Sequence, residues 1–377
     1  MRVLALEPYY GGSHRAFVDG WSACSRHDWT LVTLPPHKWK WRMRHGAITL
    51  ADRVNQHAAA GETWDVLLCS DMLNLAEFMG LTAERVGRLP SVAYFHENQL
   101  TYPVRHEDER DYHFVLTNLT TAIAASSVWF NSAFHRDSFL DALPGFLRRM
   151  PDHQPFDAIE RIRAKSLIRP QGINELPPRE PRKPGPMRVL WAARWEFDKN
   201  PETFFEAIRM LETRGVAFRL SVIGEQFRES PEVFARAQSH FADRIDRWGY
   251  QADRGTYEAA LCEADVMVST ANHEFFGVSV VEAIAAGAYP LLPRRLAYPE
   301  ILGGEEAARQ DGFFYNGSAE QLAARLAGLA DRLARGDLWR GESDRAVRAV
   351  RRFFWPSLTP KLDEALENVV ASAARER

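Results

Sequence analysis

His273-Glu274-Phe275-Phe276-Gly277-Val278-Ser279-Val280-Val281-Glu282-Ala283 holds two carboxylates eight positions apart, with a glycine in the interval and an apolar run ending at the second acid. The segment before it, Ala264-Asp265-Val266-Met267-Val268-Ser269-Thr270, is a short apolar run that suits a buried parallel strand, and residues 278–286 suit a helix. The order is therefore strand, loop, helix. Gly277 would let the backbone approach a ligand at the helix start, and Glu282, about a turn and a half inside, would point back toward that mouth. Free amides at a helix N-terminus favour an anion such as a diphosphate. Two acids beside them can each take a pair of hydroxyls, one pair from a nucleotide ribose and one from a transferred hexose. Two glutamates at this spacing are also common on a solvated surface, so the rest of the chain must agree.

The 377 residues allow two domains of ordinary size. With 46% hydrophobic and 26% charged residues, the composition is that of an ordinary soluble globular protein. A formal net charge of -3 means that a polyanion must meet a local basic patch. Three widely spaced cysteines, Cys24, Cys69 and Cys262, argue against a disulfide framework or zinc cluster and suit a reducing cytoplasm. The N-terminal apolar run is too short for a signal peptide, and no run is long enough to span a membrane.

Residues 2–6 read as a first strand, followed by Glu7-Pro8-Tyr9-Tyr10-Gly11-Gly12-Ser13-His14 and a helix that Ser13 would cap. The glycines lack the G-x-G-x-x-G spacing of a dinucleotide fingerprint, and a tight turn with positive φ at Gly11 is the plainer reading. In His37-Lys38-Trp39-Lys40-Trp41-Arg42-Met43-Arg44-His45, cations alternate with large apolar groups. In extended chain this puts the charge on one face and the indoles on the other. Phosphate-neutralising cations beside stacking rings suit an unpaired nucleic-acid loop; an edge strand with core tryptophans and solvated lysines is the alternative. The strand at residues 91–95 ends in His96-Glu97-Asn98-Gln99-Leu100-Thr101-Tyr102-Pro103. Ligands bind at such carboxyl ends, and this octet offers the donors and acceptors that a hydroxyl-rich acceptor needs. Residues 134–149 mix Phe, Leu and Arg, which suits either core packing or a membrane-docking surface, with Pro144 breaking the helix.

Residues 174–186, with five prolines, cannot build helix or central strand and mark the domain boundary. An apolar strand then leads into Ala193-Arg194-Trp195-Glu196-Phe197-Asp198-Lys199-Asn200-Pro201, whose two cations can neutralise a diphosphate or merely pair on the surface. A strand at residues 218–223 closes on Gly224, and 288–293, 298–302 and 311–315 follow the two-acid stretch.

This Arg-and-Lys loop, the two acids and the segment order resemble glycosyltransferase family 4, retaining enzymes of the GT-B fold. The resemblance implies an α/β chain of two Rossmann-like domains facing each other across a cleft. These would be residues 1–173 and 187–353, joined by the 174–186 linker, with a last helix, 354–377, crossing back. It implies that Glu274 holds the donor sugar, that Glu282 binds the ribose, that Arg194 and Lys199 clamp the diphosphate, and that His96 contacts the sugar beside the reacting carbon. Gly12, Gly224, Phe276, Gly277 and Val278 would complete the donor site. Ala193 stands where glycine is common in that family, so the loop would sit slightly differently. No metal or other cofactor is implied, the nucleotide sugar being a co-substrate.

Glu7 to His14, Pro36 to Arg44 and Phe95 to Pro103 resemble, more specifically, the tRNA-queuosine mannosyltransferase family. This implies GDP-mannose as donor and the cyclopentene-diol of queuosine in a tRNA anticodon as acceptor. Ser13, His14, Lys38, Trp39, Lys40, Trp41, Arg42, Arg44, Glu97, Asn98, Gln99 and Tyr102 would hold that acceptor, in the cytoplasm and without stable membrane association. Two rivals are a related enzyme acting on a lipid or polysaccharide and a non-catalytic RNA-binding scaffold, against which the set Arg194, Lys199, Glu274 and Glu282 speaks.

Overall fold

Apolar runs of two to six residues become the strands of two parallel sheets in the computed structural model, which describes residues 1–227, 229–304, 312–341 and 345–376. The chain divides into two compact units, Met1–Asn174 with Phe353–Arg377 and Glu175–Arg352. In the first, β1 (Arg2–Glu7), β2 (Asp28–Thr33), β3 (Val66–Ser70), β4 (Ser91–Phe95), β5 (Ser127–Phe130) and β6 (Ser166–Ile168) run in the order β2-β1-β3-β4-β5-β6. In the second, β7 (Met187–Ala192), β8 (Phe218–Ile223), β9 (Ile245–Gly249), β10 (Val266–Val268), β11 (Tyr289–Pro293) and β12 (Phe314–Tyr315) run β12-β11-β10-β7-β8-β9. Asp311, with which the last expected segment begins, lies outside the described residues.

Every residue of β3 and β4 is buried, as a parallel sheet covered on both faces requires. Side chains alternate along β1. Val3 and Ala5 pack with Phe17 and Trp21 of the first helix, Gly12–Cys24, and with Leu362 and Leu366 of the last helix, Trp355–Glu376. Leu4 and Leu6 pack on the other side with Leu50, Val54, Leu119 and Phe139. In each unit the chain winds outward on one side of the sheet and then on the other. The loops diverge at the carboxyl ends of β1 and β3 in one unit, and of β7 and β10 in the other, which is where such sheets bind ligands.

Three local expectations give way to packing. Residues 39–45 are not extended; they open a 21-residue helix, Trp39–Ala59, because Met43, Ala47, Leu50, Ala51 and Val54 bury along one helical stripe. Ser13 does not cap the first helix: Gly11 holds that position with extended backbone, and the left-handed residue is Gly12 (φ 52). Pro144 lies inside a helix, Ala133–Leu147. The proline costs about 3 kcal/mol, less than the gain from burying Phe139, Leu140, Leu143, Phe146 and Leu147 at about 1.5–3 kcal/mol each. Those side chains face the core and are not available to a membrane.

The last helix is tied to the first by one carboxylate. Asp363, 1% exposed, accepts from Trp21 Nε1 and Ser25 Oγ at 2.8 Å and from the Arg26 amide at 3.0 Å. Asp363→Ala leaves these donors without their acceptor and should destabilise the protein by about 3 kcal/mol. Urea unfolding would check this, with Asp363→Asn losing less.

Candidate active site

Where β7 ends, the chain makes a short turn, Phe197–Lys199, that is sewn to the loop following β10. Thr270 Oγ1 donates to the Lys199 carbonyl at 2.8 Å and the Asn272 amide to the Asp198 carbonyl at 2.8 Å. This brings Lys199 Nζ within 2.8 Å of the His273 carbonyl, 3.3 Å of Glu274 Oε2 and 3.0 Å of Asp198 Oδ2. Burial alone would raise the Glu274 carboxyl, but the Lys199 and Arg194 charges outweigh it and hold the acid below its usual range. Burial and then Lys199 push His273 down to about 4, so its ring is neutral. Arg194 pairs with Glu196 at 3.2 Å and remains more than a third exposed.

The helix expected after the two-acid loop is Val278–Ala285. Gly277 precedes it in left-handed backbone (φ 90), and an added Cβ would stand 3.2 Å from the Tyr298 ring and 3.4 Å from Glu274 Cγ. Glycine is therefore required on two grounds. Ser279 Oγ donates to the Ala192 carbonyl at 2.7 Å, docking the helix start on the end of β7. Arg194, Lys199, Glu274 and the helix amides thus share one end of the sheet, with Phe276 buried and Val278 half-buried beside them. Gly224 lets β8 pass the neighbouring loop: a Cβ there would sit 1.8 Å from the Ala193 carbonyl oxygen. A small pocket there is lined by Ala193, Lys199, Glu274, Ser279 and Tyr298.

Glu282, 8% exposed, is held at both oxygens, Oε1 by Arg254 at 3.0 Å and Oε2 by the Tyr257 hydroxyl at 2.7 Å. Both partners come from the helix Arg254–Glu263.

In the first unit, Glu7, Asp71 and His96 stand at the ends of β1, β3 and β4. Glu7 Oε2 lies 3.1 Å from His14 Nδ1, and the His14 ring lies 4.0 Å, centroid to centroid, from that of His96. Asp71 Oδ1 accepts from the His96 amide at 2.8 Å. Asn98 is not presented to a ligand: fully buried, it braces its own turn through the Leu100 and Thr101 amides. Glu97 accepts from Gln99 Nε2 at 2.9 Å, and the Tyr102 carbonyl accepts from Arg110. Ser13 is exposed, with its carbonyl held by Gln171. Glu7, His14 and His96 bring donor atoms within 4.8 Å of one another, close enough for a metal. The pairing of His14 Nδ1 with Glu7 and the stacking of the rings at 32° read instead as an ion pair under a neighbouring imidazole.

The basic-aromatic segment is divided by its helix. Arg42 turns inward and donates to the Pro35 carbonyl at 2.9 Å between His37 and His45. Trp39 rests on Phe114, and Arg44 lies over the same ring and pairs with Asp111 at 3.3 Å. Lys38 and Lys40 stay exposed, as does Trp41 at 61%.

Sequence reasoning missed Asp198, Arg254 and Tyr257 as neighbours of the site, and Glu7 and Asp71 as partners of the histidines. Asp198 and Glu7 stood inside the segments singled out, and a buried-strand end carrying an acid was the available signal. Arg254 and Tyr257 carried none, since only folding brings their helix to Glu282.

The N-terminal part, residues 2–173, matches the family model described as tRNA-queuosine alpha-mannosyltransferase N-terminal, and residues 173–332 match glycosyl transferases group 1. Solved structures are similar over nearly the whole chain. Anabaena HepE in complex with UDP has a TM-score of 0.67 at 15% identity, covering 98% of this chain and all of that one. Sucrose-phosphate synthase from Thermosynechococcus elongatus has 0.69 at 15%, covering 99% and 100%. The fold is GT-B and the class is glycosyltransferase. A Drosophila melanogaster protein described as tRNA-queuosine alpha-mannosyltransferase is 35% identical over 311 residues, 79% of this chain and 81% of that one. A GDP-mannose-dependent alpha-(1-6)-phosphatidylinositol dimannoside mannosyltransferase of Mycobacterium tuberculosis is 27% identical over 128 residues, 34% of this chain and 32% of that one. The chain belongs to the tRNA-queuosine alpha-mannosyltransferase family.

Proposed function

We propose that the protein transfers mannose from GDP-mannose to the cyclopentene-diol of queuosine in a tRNA anticodon, with retention at the anomeric carbon. The observation that carries this reading is the 35% identity to the Drosophila tRNA-queuosine alpha-mannosyltransferase across both units. The donor assignment draws support from the Mycobacterium relative, which is named GDP-mannose-dependent. The acceptor hydroxyl attacks the anomeric carbon on the face that GDP leaves. The bond from that carbon to the phosphate oxygen breaks, the new glycosidic bond forms, and the acceptor proton passes to the departing diphosphate. Lys199, Arg194 and the amides before Val278 absorb the charge that builds there, so the reaction needs no resident metal ion. Glu274 orients the sugar hydroxyls, Glu282 accepts from the ribose, and His96 contacts the transferred sugar. A tRNA acceptor puts the reaction in the cytoplasm. No described helix is long and apolar enough to cross a membrane.

Labelled GDP-mannose with queuosine-containing tRNA should give labelled tRNA, whereas UDP-glucose or tRNA lacking queuosine should not. Transfer from UDP-glucose, or to tRNA lacking queuosine, would overturn the assignment. Trp41 is an exposed ring between the exposed Lys38 and Lys40 and the rest of the basic segment and can stack on an unpaired base, so Trp41→Ala should weaken tRNA binding by about 1–3 kcal/mol. Filter binding at fixed salt would check this, and GDP-mannose hydrolysis should be unchanged.

A further inference from the structure

A buried acid and two buried histidines meet at the ends of β1 and β4. Glu7, 1% exposed, is surrounded by donors: its Oε1 accepts from the Tyr9 amide at 2.8 Å and from Ser70 Oγ at 3.0 Å, and its Oε2 faces His14 Nδ1 at 3.1 Å. A buried carboxylate is retained only when it is paired and hydrogen-bonded, and His14 is its sole titratable partner among the described contacts. His14 is 6% exposed. Its ring lies 4.0 Å from that of His96 and 6.0 Å from that of Tyr9. His96 is enclosed on its other sides by Phe17 and Tyr94, and its buried Nδ1 has no hydrogen-bond partner among the described residues. Two stacked imidazoles in one buried pocket cannot both be cations without strong repulsion. The carboxylate decides which of them is charged.

We propose that Glu7 is a positioning residue that makes His14 the cation and His96 the neutral member of a fixed imidazolium–imidazole stack. A neutral His96 ring can then accept from, or donate to, a hydroxyl of the bound sugar, which an imidazolium could only donate to. This rests on the contact between His96 and the transferred sugar proposed above. The groups facing the pair are Glu7 from β1, Asp71 from β3, Glu97 beside His96, Tyr9 and Tyr94, and His135 from the helix Ala133–Leu147. Burial alone would lower His14, but Glu7, followed by Asp71 and Glu97, outweighs it and raises the ring to about 9. Burial, then the charges of His14 and His135, drive His96 well below its usual range. Because His14 is raised in the folded chain, its stabilising effect is complete below its ordinary 6.5 and is lost as pH rises through about 9.

The test is an imidazole ¹⁵N NMR titration of the wild-type protein, which needs neither substrate nor activity. His14 should remain an imidazolium at pH 7.5 while His96 remains neutral; a neutral His14 or a charged His96 at that pH overturns the proposal. In Glu7→Gln, the His14 titration in the same experiment should move down by about 1–3 pH units. An unmoved His14 titration in a folded Glu7→Gln protein also overturns it. Absence of transfer by the wild type to queuosine-containing tRNA would instead defeat the functional reading and leave the titration result standing.

Discussion

Lys199→Ala should lower kcat by about 10²–10³-fold and cost about 3–5 kcal/mol of stability. Lys199 is 5% exposed, and its Nζ is shared by Asp198 Oδ2, Glu274 Oε2 and the His273 carbonyl. Removing the cation leaves two carboxylates in a largely enclosed space with only the more distant Arg194 to offset them. Glu274 is depressed because Lys199 and Arg194 outweigh burial. Its stabilising effect in the wild type is therefore present above the ordinary carboxylate value of 4.5 and lost as pH falls through the depressed one. In the variant most of that depression is gone, so the destabilisation should be largest near neutral pH and should ease as Glu274 protonates. Thermal unfolding at pH 7.5 and at pH values below 4.5 would show the trend. GDP-mannose hydrolysis without tRNA would isolate the effect on the leaving group. Lys199→Met keeps the apolar stem and should be equally inactive, whereas near wild-type turnover in both variants would remove Lys199 from the reaction.

Glu282→Ala should raise KM for GDP-mannose by about a hundredfold, with kcat changed far less. Two hydrogen bonds from a carboxylate to ribose hydroxyls at about 1.5 kcal/mol each account for that factor, and a ribose contact is the same in ground and transition states. Because Arg254 and Tyr257 already hold both oxygens, the carboxylate is fixed in place and presents its remaining lone pairs without reorganisation. Tyr257→Phe should therefore also raise KM, by less, through loss of that fixing. Calorimetric titration with GDP would separate binding from chemistry. An unchanged affinity in Glu282→Ala would show that the ribose lies elsewhere.

For both residues only part of the setting was legible beforehand. Lys199 follows a strand by a few residues, and Glu274 and Glu282 flank a glycine that starts a helix, so a local pattern carries them to the carboxyl end of the sheet. Strand ends are set by apolar period and by glycine and proline, which act over short distances along the chain. The partners of Lys199 and Glu282 are a different matter. Thr270 lies 71 positions from Lys199 and Arg254 lies 28 from Glu282, and nothing in either segment marks the other.

At residues 38–45 local pattern and tertiary demand disagree. The alternation of cations and rings satisfies a strand, yet Met43, Ala47, Leu50 and Val54 continue a helical stripe that the core of the first unit buries. Burial of that whole stripe exceeds any preference of eight residues, so Arg42 turns inward and Trp41 outward.

What the sequence determined by itself was the class of fold and the loop that carries Arg194 and Lys199 past the end of β7. Period, chain punctuation and motif spacing are properties of neighbouring residues. Only the tertiary structure decided that Asn98 braces a turn, that Glu7 pairs with His14, and that His14 stacks on His96. Whether a buried acid or imidazole is charged depends on the groups brought within a few ångströms of it, and those come from separate strands.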